Sequence, residues 1–144
     1  MTAKTTLTWR ENLTFDAVVD GFNLTIDSNY GFDAPLKSMQ PKPLLLVALS
    51  GCSAMDAVSI LSKQKISDYK LKMEMEGDVN EEQPHVYNTI RMTFLFTGEN
   101  LPPEKVIRAV ELSITKYCAV YAMLSKAAKI ITKVLINNEE VWNA

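Results

Sequence analysis

The chain holds two cysteines, one histidine and five glycines that never cluster, and each scarcity closes a class of chemistry. With His85 as the sole imidazole, neither a nucleophile–imidazole triad nor a zinc centre of about four closely spaced ligands can be assembled convincingly. Gly21, Gly31, Gly51, Gly77 and Gly98 stand singly, which leaves no phosphate-cradling glycine loop. Fifteen basic residues against seventeen acidic ones give a formal net charge of -2, so there is no basic footprint for nucleic acid or an anionic membrane. The longest apolar block, Pro43 to Leu49, is far short of the roughly 20 residues that span a bilayer. One early lysine with no apolar run after it is no secretory signal. The sequence therefore predicts a cytoplasmic protein with no cofactor, no metal, and neither nucleic acid nor membrane as partner. Any covalent chemistry falls to thiols.

At 144 residues the chain reads as one domain, 1–144, large enough to bury a core. Residues 5 to 28 alternate in short runs (Leu7 and Trp9; Phe15, Ala17 and Val19; Phe22, Leu24 and Ile26), the pattern of three strands with turns at Glu11-Asn12 and Asp20-Gly21. Ser28 to Gln40, with Gly31 and Pro35, reads as a loop. Pro43 opens a helix that runs to about Gln64, since proline at the first helical position loses no intrahelical bond. Tyr69 to Glu76 alternates apolar and charged residues, and Val86 to Thr97 puts Ile90, Met92, Phe94 and Phe96 on one side; the two read as an antiparallel pair. Leu101-Pro102-Pro103-Glu104 starts another helix with Val106, Ile107, Val110, Ile114 and Tyr117 on its apolar side. A shorter helix carries Tyr121, Met123 and Leu124, and Ile130 to Ile136 returns to strand. The predicted order is βββαββααβ, an α+β plan around a long central helix.

That central helix changes character at Cys52. Leu44 to Leu49 is apolar all round and calls for cover on every side, whereas Asp56, Ser59, Ser62 and Lys63 interrupt the second half. Gly51 costs about 1 kcal/mol of helix propensity relative to alanine, which fits either close approach by a ligand or backbone, or tight helix packing. On burial habits alone Cys52 and Cys118 read as small buried hydrophobes, His85 as a turn or strand-entry residue, and Glu81-Glu82 as a solvated turn.

The run from Pro43 through Ser50-Gly51-Cys52-Ser53-Ala54-Met55-Asp56 to Leu61, and the run Arg108 to Cys118, resemble the paired cysteine signatures of the OsmC/Ohr family. Between them, Pro84-His85-Val86-Tyr87-Asn88-Thr89-Ile90 resembles that family's central hairpin, and Trp9-Arg10-Glu11-Asn12-Leu13-Thr14-Phe15 the start of its OsmC-like redox-protein branch. The resemblance implies the OsmC-like fold and an intertwined homodimer with two central helices and two thiol sites at the interface. It also implies a peroxidase in which Cys52 attacks an organic hydroperoxide, Cys118 resolves the sulfenic acid as a disulfide, and an external dithiol reductant restores the pair.

A peroxidatic cysteine must ionise, so it needs positive potential or donated hydrogen bonds. Peroxidase members of the family use an N-terminal arginine, oriented by a glutamate just ahead of the cysteine helix. Here Lys42 and Pro43 stand where that glutamate is expected. Lys42 or Arg10 could supply the charge, Arg10 from either subunit. Asp56, four residues beyond Cys52 on the same helical face, would oppose ionisation if unpaired; a cation such as Lys116 or Arg108 could hold it, or it could have a helix-surface or packing role. Glu111 is either a pairing residue across the dimer or a surface position. Two functions are compatible with these residues: a thiol-dependent peroxidase, or a non-peroxidatic dimer of the same fold that binds a small hydrophobic ligand or partner, or senses redox state.

Overall fold

The computed structural model describes residues 1–29 and 35–144; residues 30–34 of the expected Ser28–Gln40 loop, Gly31 among them, lie outside the described residues. The chain forms two compact units, Met1–Leu45 and Leu46–Ala144.

In the first unit, β1 (Thr5–Glu11), β2 (Thr14–Val19) and β3 (Phe22–Ile26) form an antiparallel meander. Asn12, Asp20 and Gly21 take positive φ at its two turns, a conformation that asparagine, aspartate and glycine tolerate. The buried Asp27 carboxylate accepts from the Thr14 hydroxyl at 3.0 Å and the Lys37 backbone N–H at 2.9 Å. The Lys37 N–H is the largest cause that holds its pKa below the usual carboxylate range.

Helix α1 (Pro41–Lys63) begins two residues before the expected Pro43. By length and composition alone, with a mean hydropathy of 2.0 over an 18-residue window, it could cross a membrane. Alanine, glycine, serine and cysteine extend its apolar character beyond Leu49. Its buried positions Leu49, Ser53, Ala57 and Leu61 recur every fourth residue, the stripe of a helix seated on a core.

In the second unit, β4 (Lys70–Val79), β5 (Tyr87–Thr97), β6 (Lys129–Ile136) and β7 (Glu139–Asn143) form one sheet in that order. Strands β4 and β5 pair antiparallel as expected, whereas β5 and β6 run parallel. A parallel pair requires a long crossover, supplied by α2 (Pro103–Leu112), a π-helical turn (Ser113–Tyr117) and α3 (Ala119–Leu124). Ile90, Met92, Phe94 and Phe96 of β5 and Val134 of β6 are buried, packed with Leu49, Ala57, Leu61, Val106 and Val110. Burial of each large side chain of this kind contributes about 1.5–3 kcal/mol.

The element order follows the expected one through β6 and adds β7. The hairpin between them turns through Asn137 and Asn138, both at positive φ. The second helix does not continue through Tyr117, as its apolar spacing suggested. The π turn inserts an extra residue per turn and leaves Tyr117 52% exposed.

Candidate functional site

Cys52 and Asp56 lie one helical turn apart on α1, so their side chains share a face. Cys118 comes directly after the π turn, where its backbone N–H donates to the Ser113 carbonyl at 2.8 Å. The wider turn ends the crossover helix there and makes Cys118, in extended conformation, the N-cap of α3. The ligand atoms of Cys52, Asp56 and Cys118 thereby fall within 4.8 Å of one another. Both thiols are free.

Two serines join the helices around this cluster. The Ser53 hydroxyl donates to Cys118 Sγ at 3.2 Å, and the Tyr121 backbone N–H donates to the same sulfur at 3.3 Å. The Ser113 hydroxyl lies 3.1 Å from both the Ser53 carbonyl oxygen and Asp56 Oδ2. Ser53 and Ser113 are fully buried, where an unpaired hydroxyl is costly, so these bonds hold both serines in one geometry.

The two sulfurs differ in access. Cys118 is 3% exposed, while Cys52 is half-buried. Burial pushes the Cys118 thiol up, with Cys52 adding in the same direction, against the lowering hydrogen bonds from Ser53 and Tyr121. Beside Asp56 opens a cavity of about 340 Å³, lined by Asp56, Ser59, Ile60, Lys63, Leu112 and Tyr117 among others.

Residues 34–133 match the family model described as OsmC-like protein. The chain is 38% identical over 123 residues to Protein YhfA of Escherichia coli strain K12, covering 85% of this chain and 89% of that protein. The chain belongs to the OsmC-like protein family. A hypothetical protein from Aquifex aeolicus VF5 superimposes with a TM-score of 0.80 at 26% identity, covering 95% of this chain and 98% of that one. The organic hydroperoxide resistance protein OhrB of Bacillus subtilis, at 16% identity, shares the fold with a TM-score of 0.63, covering 94% and 98%.

Of the residues marked from sequence, this OsmC-like chain brings Cys52, Asp56 and Cys118 together. Arg10 lies in the first unit, where its guanidinium bonds Asp16 at 2.5 and 3.0 Å. Lys42 lies in the first turn of α1, in that same unit. Glu111 sits 3.8 Å from Arg108 one turn back on α2, an ion pair along the helix surface. The expected cations for Asp56 are engaged elsewhere: Arg108 with Glu111, and Lys116 over the Tyr117 ring at 5.2 Å. Asp56 is held instead by a neutral hydroxyl. His85 Nδ1 lies 3.1 Å from the Asn80 carbonyl oxygen in the β4–β5 turn, consistent with a turn residue. Gly51, read as a position of close approach or tight packing, has open space where a Cβ would stand.

Sequence reasoning passed over Ser53, Ser113 and the Tyr121 N–H. A usable signal was present for Ser53, a polar residue at four-residue spacing between Leu49 and Ala57 on the buried stripe, which must find a partner.

Proposed function

We propose that this chain is a thiol-dependent peroxidase that reduces organic hydroperoxides through Cys52 and Cys118. The observation that carries this reading is the approach of the two sulfurs to within 4.8 Å, one half-buried and one buried. The resistance to organic hydroperoxides named for OhrB of Bacillus subtilis supports the substrate class.

In this reading the Cys52 thiolate attacks the terminal peroxide oxygen, the O–O bond breaks, and the alcohol leaves with a proton while Cys52 becomes a sulfenic acid. Cys118 then attacks that sulfur, water departs, and a disulfide forms. An external dithiol restores both thiols. The division of roles rests on access, because an incoming peroxide meets the half-buried sulfur first. Arg10 and Lys42 are the candidates for positive potential at the attacking thiol, Asp56 for positioning Ser113, and Glu111 for a surface role.

The working unit in this proposal is a homodimer in the cytoplasm. Val47 is 61% exposed, Met55 73%, and Val58 and the open side of Gly51 continue the same face of α1. A second copy is the occupant that this apolar stripe fits, because a glycine at its centre lets two α1 helices approach closely.

The cavity beside Asp56, with Ile60, Leu112 and Tyr117 in its wall, favours one second reading, a dimer that binds a small hydrophobic ligand without turnover. Consumption of cumene hydroperoxide with a dithiol reductant separates the two. Loss of consumption in both Cys52→Ser and Cys118→Ser supports the peroxidase, and equal rates in all three proteins overturn it.

A further inference from the structure

We infer that Cys52, Asp56 and Cys118 form a binding site for a thiophilic divalent cation of the Zn²⁺ type, with two thiolates and one carboxylate as ligands and a fourth position open. Three ligand atoms within 4.8 Å of one another need only about 1 Å of contraction to meet the separations set by Zn–S bonds of about 2.3 Å and Zn–O bonds of about 2.0–2.2 Å. Rotation of the half-buried Cys52 and Asp56 side chains on α1 supplies movement of that size. The inference requires reduced thiols and stands independently of peroxide turnover.

Three further features point to a metal. The donor set selects the class: two soft sulfurs disfavour calcium and magnesium, and the carboxylate suits zinc better than a monovalent copper that prefers sulfur throughout. The ligands also have outer partners of the kind that orient metal sites. Ser53 Oγ and the Tyr121 N–H donate to Cys118 Sγ, and Ser113 Oγ bonds Asp56 Oδ2, so each bond can persist to a metal-bound thiolate or carboxylate. The site is open to solvent at two of its ligands, since Asp56 lies in the wall of the cavity of about 340 Å³ and Cys52 is half-buried.

Binding is a proton exchange: two thiols lose their protons, two metal–sulfur bonds form, and the carboxylate adds a third ligand. The ion then occupies the lone pairs that either sulfur would use as a nucleophile. Metal binding and disulfide formation are mutually exclusive states of the same two residues.

The test uses the full-length reduced protein titrated with Zn²⁺ in competition with a chromophoric chelator, and with Co²⁺ as a spectroscopic probe. The expected results are one ion per chain, release of about two protons, and for Co²⁺ a sulfur charge-transfer band with the intense visible absorption of four-coordinate geometry. Cys52→Ser and Cys118→Ser each lose the charge-transfer intensity in part and weaken binding by at least about a hundredfold. Asp56→Asn, whose amide oxygen can still accept from Ser113 and whose fold is checked by its unfolding midpoint, weakens binding by at least about tenfold. Wild-type affinity in Asp56→Asn, the pale spectrum of six-coordinate Co²⁺, or binding weaker than about micromolar would each overturn the site.

Discussion

Ser53 on α1 donates its hydroxyl hydrogen to Cys118 Sγ at 3.2 Å, across 65 residues of sequence. The bond ties the two cysteine-bearing segments together beside the half-buried Cys52, and it opposes the effect of burial on Cys118. Removal of the hydroxyl therefore moves Cys118 further from ionisation. In a Cys52→Ala background, the alkylation midpoint of Cys118 shifts to higher pH when Ser53→Ala is added, and an unchanged midpoint would deny the bond any electrostatic role. The same substitution costs about 0.5–1.5 kcal/mol of stability.

The raised Cys118 thiol carries a stability consequence whose sign is fixed by linkage. The folded state retains the proton to higher pH than the unfolded chain, so the contribution is complete below the unfolded thiol pKa of about 8.5 and declines as pH rises through the folded value. Urea unfolding of the reduced protein from neutral to alkaline pH shows this as a steeper loss of stability in wild type than in Cys118→Ala, which keeps only the loss due to Tyr69, Tyr87 and Tyr121, whose hydroxyls burial also pushes up. Parallel profiles would contradict the buried, protonated thiol.

At Gly51 the chain alone has room for a side chain, whereas the proposed dimer does not. In the chain alone a Cβ meets nothing, so Gly51→Ala gains about 1 kcal/mol of helix stability. Against a second α1 helix, Gly51→Leu separates the backbones and lowers dimer affinity by at least about tenfold, an effect of about 1.4 kcal/mol. Urea unfolding reads the first, and sedimentation at micromolar concentration the second: wild type as dimer, Gly51→Leu and Val47→Glu as monomer. A wild-type monomer removes the interface.

Thr132 in β6 is buried with no partner on its hydroxyl among the described residues. Thr132→Val keeps the shape and removes an unsatisfied group, which stabilises the fold by about 1–3 kcal/mol. A loss of stability in thermal or urea unfolding would mean that the hydroxyl is satisfied in solution.

Local periodicity made most of the architecture legible. Alternation in Tyr69–Glu76 and Val86–Thr97 marked β4 and β5, and Asp20-Gly21 marked a turn that the chain makes at positive φ. Strand β7 escaped because Glu139 and Glu140 break any apolar alternation, although Asn137-Asn138 is a hairpin signal in its own right. The π turn escaped for another reason: Val110, Ile114 and Tyr117 keep helical spacing, and only the Cys118 N–H bonded to Ser113 reveals the extra residue. At the site, the spacing of Cys52 and Asp56 on one helix was visible in the letters. The approach of Cys118, supplied by the parallel β5–β6 crossover, depends on tertiary topology. The partner of Asp56 was expected to be a cation and is the Ser113 hydroxyl, because Arg108 and Lys116 face other groups on their own helices.

The most direct measurement of the central claim is a single turnover. Fully reduced protein mixed with one equivalent of cumene hydroperoxide, without reductant, is expected to yield one alcohol and one disulfide joining Cys52 to Cys118 in the same chain, identified by peptide mass. Cys118→Ser is expected to stop at a sulfenic acid on Cys52, and Cys52→Ser to leave the peroxide intact. Persistence of both thiols and of the hydroperoxide in the wild-type protein would contradict the account.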